Sequence, residues 1–168
     1  MTPWKSLCAL ACLLLWAAAL LSGAESGYPV IHQLTRADPL YRQVSEDIAA
    51  WYRFEKQGDG YLPPLSLYTY RPAEGETLFD ISSRMNLPYE TLALLNGLEH
   101  PEQLKERKTV LIPNRPGLFI PEGPSTELER IMAGWRDISG STMFPVHTDF
   151  GLRRFFFLPG ERFHSIEP

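Results

Sequence analysis

The sequence predicts an α+β fold, and three patterns carry that prediction. Apolar and aromatic residues recur at helical spacing through Tyr41, Val44, Ile48, Trp51 and Tyr52. A strand, two short helices and a second strand follow one another within residues 65–114. Apolar runs with strand character then appear in the tail, the longest being Phe155-Phe156-Phe157-Leu158. Fifteen prolines among 168 residues imply short elements and many turns, while 44% hydrophobic and 21% charged residues are the composition of a packed chain.

The chain opens on Lys5, an apolar run over residues 7–21 and the small residues Ser22-Gly23-Ala24. That order is the pattern of a secretory signal peptide cleaved after Ala24. An uncleaved anchor is the alternative, although the run is short beside the ~20 apolar residues of a membrane span. Both cysteines, Cys8 and Cys12, fall in this leader, so residues 25–168 hold none and form no disulfide. A lipid-modified Cys12 would leave most of the hydrophobic run behind the modified residue, which argues against it. Loss of Lys5 leaves 15 basic against 20 acidic residues, a formal charge of −5. An acidic chain lacks the basic face that nucleic-acid binding needs. Export places the protein in the periplasm or cell envelope and makes ATP- or nicotinamide-dependent chemistry a poor fit.

Asp38-Pro39 starts a helix, with an N-cap side chain followed by a proline at the first helical position. Its aromatics are read as packing the helix onto a neighbour rather than as a sugar-stacking platform. Gly58-Asp59-Gly60 ends it and Pro63-Pro64 forms a stiff connector. Residues 65–71 alternate as a strand, with Leu67, Thr69 and Arg71 on one face and Ser66, Tyr68 and Tyr70 on the other. After a turn at Gly75-Glu76-Thr77, Leu78, Ile81 and Met85 mark one side of a short helix. A second helix, residues 88–95, stops at Asn96-Gly97, a left-handed exit. Thr109-Val110-Leu111-Ile112 is a β-branched strand closed by Pro113. Residues 113–124 read as a Pro/Gly-rich connector. Thr126 and Glu129 have capping-box spacing ahead of a helix whose expected apolar face is Leu128, Ile131, Met132 and Trp135.

The middle segment resembles the LysM family, small βααβ modules that bind N-acetylglucosamine-containing glycans such as peptidoglycan and chitin. The resemblance rests on Tyr68-Thr69-Tyr70, on Glu74-Gly75-Glu76-Thr77-Leu78 where the family has Gly-Asp-Thr-Leu, on Ile81 and Arg84-Met85-Asn86-Leu87, on Leu92, Leu95, Asn96 and Leu98, and on Pro101, Leu104, Val110 and Ile112-Pro113. It implies a shallow groove with Gly75, Glu76, Thr77 and Leu78 on one wall and Asn96, Gly97, Leu98 and Pro101 on the other. Tight turns there would offer backbone N–H and C=O groups to N-acetyl substituents. Leu78 or Leu98 would pack on acetyl methyls; core filling by Leu78 and helix capping by Asn96 are the competing roles. Two departures stand out. Glu76 replaces the usual Asp, which is expected to weaken capping in the first turn. Arg107 replaces a usual Gly, which implies a changed or strained turn.

The flanks resemble exported bacterial proteins, seen in spirochaetes, in which LysM precedes a lysostaphin-type zinc endopeptidase. That enzyme needs a His-x-x-x-Asp pair and a later His-x-His pair, and His32, His100, His147 and His164 show neither spacing. Asp149-Phe150-Gly151 lacks the other kinase motifs, and Ser141, His147 and Asp149 are too close together to read as a hydrolase triad.

The expected organisation is a signal peptide (residues 1–24), a helical N-terminal segment (25–64), a LysM domain (65–114) and a linker, helix and short β-rich tail (115–168). The expected role is non-catalytic binding of peptidoglycan glycan strands, with no cofactor, no metal and no membrane span after cleavage. The alternative is an envelope interaction protein or the remnant of a LysM-containing zinc endopeptidase. There Phe144-Pro145-Val146 and the Phe155–Leu158 run would dock a partner such as a cell-envelope hydrolase, and a large exposed aromatic patch in the tail would be its mark.

Overall fold

A computed structural model describes residues 27–135, 142–148 and 151–162, apart from the side chains of Leu128 and Trp135. Residues 1–26, with Cys8 and Cys12, lie outside the described residues, as do Ser141, Asp149, Phe150 and His164. No helix among the described residues is long and apolar enough to cross a membrane.

Asp38 does what its sequence position suggests, and more. Its carboxylate accepts from the amides of Leu40 (2.8 Å) and Tyr41 (3.2 Å), capping α1 (Pro39–Gln57). The same carboxylate accepts from the amides of His32 (2.7 Å) and Gln33 (3.1 Å), tying the preceding chain to the helix. Gly58, left-handed at φ 75°, closes α1. That preceding chain contains β1 (Val30–Ile31), a two-residue strand too short to leave a periodic signal, which pairs in parallel with β2 (Leu67–Tyr70). In turn β2 pairs antiparallel with β3 (Val110–Pro113), setting Tyr68 opposite Ile112 and Tyr70 opposite Val110. Between them run α2 (Leu78–Met85), α3 (Tyr89–Asn96) and a 3-10 turn (Pro101–Glu106).

Alternation along β2 and β3 divides the interior into two cores. Tyr68, Tyr70, Val110 and Ile112 face Leu78, Ile81, Met85 and Leu92, together with Val44 and Ile48 of α1. As expected, the aromatics of α1 dock it onto a neighbour. Tyr41 and Tyr52 donate their hydroxyls to the carbonyls of Arg84 (2.9 Å) and Asn86 (3.0 Å) at the end of α2. Leu67 and Leu111, on the opposite face, join Leu94 and Leu95 of α3 and the tail in the second core. The alternating strand predicted over residues 65–71 is observed at Leu67–Tyr70 and is buried on both faces. Helix α3 is buried continuously from Thr91 to Leu95, because it is shared by the two cores.

The tail forms a second sheet in the order β4 (Gly117–Pro121), β6 (Gly151–Pro159), β5 (Thr142–Thr148), antiparallel throughout. Residues 117–121 correct the expectation of a connector over residues 113–124. Prolines tolerate an edge strand, which leaves one side unpaired, and Leu118, Phe119 and Ile120 are wholly buried. Helix α4 (Glu127–Met132) starts on the expected Thr126–Glu129 capping box. Of its expected apolar face, Met132 is buried but Ile131 is exposed, and the side chains of Leu128 and Trp135 lie outside the described residues. Arg115 links the segments: its guanidinium lies 4.5 Å from the centre of the Trp51 ring and 5.9 Å from that of Phe157.

Candidate functional site

The first expected wall lies between β2 and α2. Gly75 is exposed and left-handed at φ 78°, with open space where a Cβ would stand. Thr77 caps α2: its hydroxyl oxygen accepts from the Asp80 amide (3.2 Å), and the Asp80 carboxylate accepts from the Thr77 amide (2.9 Å) and hydroxyl (2.7 Å). Those bonds, the hydroxyl's first, hold the Asp80 carboxyl below its usual range.

Glu76 overturns the expectation attached to it. Capping belongs to Thr77 and Asp80, so the extra methylene weakens nothing there. Instead the Glu76 side chain is only 3% exposed and reaches inward. It accepts from the Tyr70 hydroxyl (2.7 Å) and the Ala73 amide (2.9 Å), and it pairs with Arg84. Burial, then the bond and charge of Glu76, push the Tyr70 hydroxyl up to about 12 against the opposing charge of Arg84.

The second wall begins where α3 ends at Gly97, left-handed at φ 60°. Asn96 acts as a clamp. Its amide nitrogen donates to the carbonyls of Leu92 and Leu111 (both 2.9 Å), and its oxygen accepts from the Leu111 amide (2.7 Å), so one side chain mimics a strand edge for β3. Pro101 opens the 3-10 turn, which packs against α2. Arg107 needs no glycine-like conformation, being extended at φ −93°, ψ 131°. Of the two expected outcomes, a changed turn or a strained one, this is the changed turn, and the side chain is put to use: its guanidinium donates to the carbonyls of Asn96 (3.3 Å) and Gly97 (3.4 Å).

The tail completes this wall. Arg153 of β6 donates to both carboxylate oxygens of Glu129 (3.1 and 3.2 Å), and an Arg153 nitrogen lies 3.4 Å from where a Gly97 Cβ would stand. Glu129 also accepts from the Ser125 amide and hydroxyl and from the Thr126 amide. Burial raises its pKa, but these bonds and the Arg153 charge outweigh it and hold the carboxyl below its usual range. Asn96, Gly97, Arg107, Gly123, Ser125 and Arg153 line a cavity of about 380 Å³.

Six of the eight expected site residues thus border the two turns, and two do not present themselves. Leu78 and Leu98 are 0% and 2% exposed, so neither side chain offers surface to an acetyl methyl. Sequence reasoning left out Arg153 and Glu129, whose pairing spans 24 residues and two elements. It also passed over the Phe79–Tyr89 stack, with ring centres 4.5 Å apart and Phe79 exposed on α2. Phe79, four residues after Gly75 and off the Leu78, Ile81, Met85 face, was the available signal.

Compared with known families, residues 73–113 match the model of the LysM domain. The chain carries a LysM domain. The match spans about a quarter of the 168 residues and starts after β2, the strand that completes the βααβ unit by pairing with β3. LysM domains are in general peptidoglycan- and N-acetylglucosamine-binding modules, which supports a glycan-binding role for this chain. No curated protein and no solved structure matches the chain. Among the described residues, no three His, Cys, Asp or Glu side chains gather into a group able to hold a metal.

Proposed function

We propose that this is an exported, non-catalytic protein that binds peptidoglycan glycan strands through its LysM domain. Export rests on the leader pattern of residues 1–24 and implies the periplasm or cell envelope. The absence of catalysis rests on the sequence, in which His32, His100, His147 and His164 lack the spacings of a lysostaphin-type site. The observation that carries the binding role is the LysM match over residues 73–113, within which Gly75 and Gly97 form left-handed turns. Glycan contacts are assigned to the backbone at Gly75, Glu76 and Thr77, and to Gly97 and Pro101. Asn96 shapes its wall through the bonds to Leu111.

The alternative, partner docking through the aromatic tail, loses its surface: Phe155, Phe157 and Leu158 are buried in the second core and Phe144 and Phe156 pack against it. Residues 25–168 sedimented with insoluble peptidoglycan, and separately with chitin, test the proposal. Gly75→Trp should abolish sedimentation by filling the open space above the turn. Gly75→Asn, which tolerates the left-handed backbone, should retain it. Circular dichroism establishes that both variants fold. Failure of the wild type to sediment with either polymer would sink the proposal.

A further inference from the structure

Helix α2 buries Leu78, Ile81 and Met85, and Phe79 stands off that face, 58% exposed. Its ring is held in place all the same. It stacks on Tyr89 at the start of α3, with ring centres 4.5 Å apart and planes inclined by 21°. Tyr89 is itself half-buried and packs against the first core. A ring backed by a second ring that is seated in the core presents its other face to solvent in a fixed orientation. A single exposed apolar side chain is ordinary. A planar one, oriented in advance beside a binding turn, is a preformed contact surface.

Location makes it such a surface. Phe79 follows Thr77 by two residues, a span of at most about 7 Å. Tyr89 lies close enough to Glu102, in the 3-10 turn, for that charge to add to burial in raising its hydroxyl. The 3-10 turn also packs against α2. The two rings thus stand where α2, α3 and the 3-10 turn meet, next to the Gly75–Thr77 turn. Pyranose rings with equatorial substituents, such as N-acetylglucosamine, carry their hydroxyl and amide groups at the rim and leave C–H groups on the faces. Backbone N–H and C=O groups suit the rim, and an aromatic plane suits a face.

We propose that Phe79, braced by Tyr89, is the stacking platform for one pyranose ring of a glycan held at the Gly75–Thr77 turn. The inference rests on the glycan-binding role proposed above and adds to it a side chain that fixes which face of the sugar is turned to the protein.

Sedimentation isotherms of residues 25–168 on chitin and on insoluble peptidoglycan test it, with urea midpoints measured on the same variants. Phe79→Ala should raise the half-saturating polymer concentration about three- to tenfold, the scale of one aromatic contact. Phe79→Leu, apolar but not planar, should lose nearly as much, and Phe79→Trp should keep wild-type binding. The new indole also reports position. Its emission should move to shorter wavelength on adding chitotetraose at the concentration that releases wild type from chitin, over the background of Trp51 and Trp135 in wild type. A ring that only staples α2 to α3 gives a different pattern: Phe79→Ala lowers the urea midpoint and leaves the isotherms unchanged. That result overturns the inference and leaves glycan binding intact. Weakened sedimentation with no change in Phe79→Trp emission overturns it as well, because the loss then comes through the fold. Failure of the wild type to sediment with either polymer overturns both readings.

Discussion

Glu76→Asp separates two physical accounts of the first turn by sign. If this position serves to cap α2, the shorter acid restores the commoner family residue and the variant is as stable as wild type or more so. If the carboxylate instead braces the Tyr70 hydroxyl, shortening it by a methylene pulls it away from a buried donor. Tyr70 is 5% exposed. Leaving its hydroxyl unpaired costs about 1–3 kcal/mol. The lost Arg84 pair adds little, about 0–0.5 kcal/mol, because Arg84 is half exposed and screened by solvent. The sum is about 2 kcal/mol. With a urea dependence of about 2 kcal/mol/M, the unfolding midpoint of residues 25–168, followed by circular dichroism, should fall by about 1 M. A midpoint unchanged or raised would refute the reasoning.

Tyr70→Phe supplies the second edge of the cycle. It removes the donor and leaves Glu76 with Ala73 and Arg84, at a cost of about 1 kcal/mol. In that background Glu76→Asp should cost only about 0.5 kcal/mol, a coupling of about 1.5 kcal/mol between the two side chains. The pair also shapes the alkaline limb. The Tyr70 hydroxyl titrates near 10 when unfolded and about 12 when folded, so between those values the folded state holds the extra proton. Its contribution is fully present below pH 10 and is lost as the pH rises towards 12. Tyr70→Phe should flatten that part of the profile.

Asp38→Ala removes the acceptor of four backbone amides and should cost about 2–3 kcal/mol, read as a urea midpoint shift. Burial raises the Asp38 carboxyl, but the amides of Tyr41, His32, Gln33 and Leu40 outweigh it, and Glu129 is lowered likewise. Stability from both is therefore present above the ordinary carboxylate range and lost as the pH falls through their depressed values, and Asp38→Asn should make the acid limb shallower. Asn96→Ala should cost about 2–3 kcal/mol and raise hydrogen exchange at the Leu111 amide, whose acceptor it deletes. Gly117→Ala would set a Cβ 2.4 Å from the Leu158 carbonyl, so it should part β4 from β6 and cost more than about 2 kcal/mol, seen as faster proteolysis of the tail.

What could be read from the sequence was what local chemistry encodes. Asp38-Pro39 and Gly58 bounded α1, the Thr126–Glu129 box started α4, and the Gly75 and Asn96-Gly97 turns stood where the family resemblance put them. Features set by distant partners were not legible. Leu118, Phe119 and Ile120 sit among prolines and glycines, and only β6 turns that segment into a strand. Glu76 was misjudged because its partner Tyr70 is presented by the strand, and the donor that Arg107 gains was missed because its acceptors, the carbonyls of Asn96 and Gly97, lie eleven and ten residues away. Leu94 and Leu95 belong to a second core that only the distant tail completes.

That second core bears on function as well as stability. Leu67, Leu94, Leu95 and Leu111 turn away from the α1 side of the module and are covered by Phe155, Phe157 and Leu158. Burying one such leucine contributes about 1.5–3 kcal/mol, so four of them rival the whole stability of a small domain. The tail is therefore fastened to the LysM fold by its own apolar face, and the same fastening sets Arg153 against Gly97. A lone shallow module binds weakly and gains retention through avidity on a dense polymer. The tail fastened beside Gly97 holds Arg153 on Glu129 there, so the loop that follows α3 is braced before any glycan arrives.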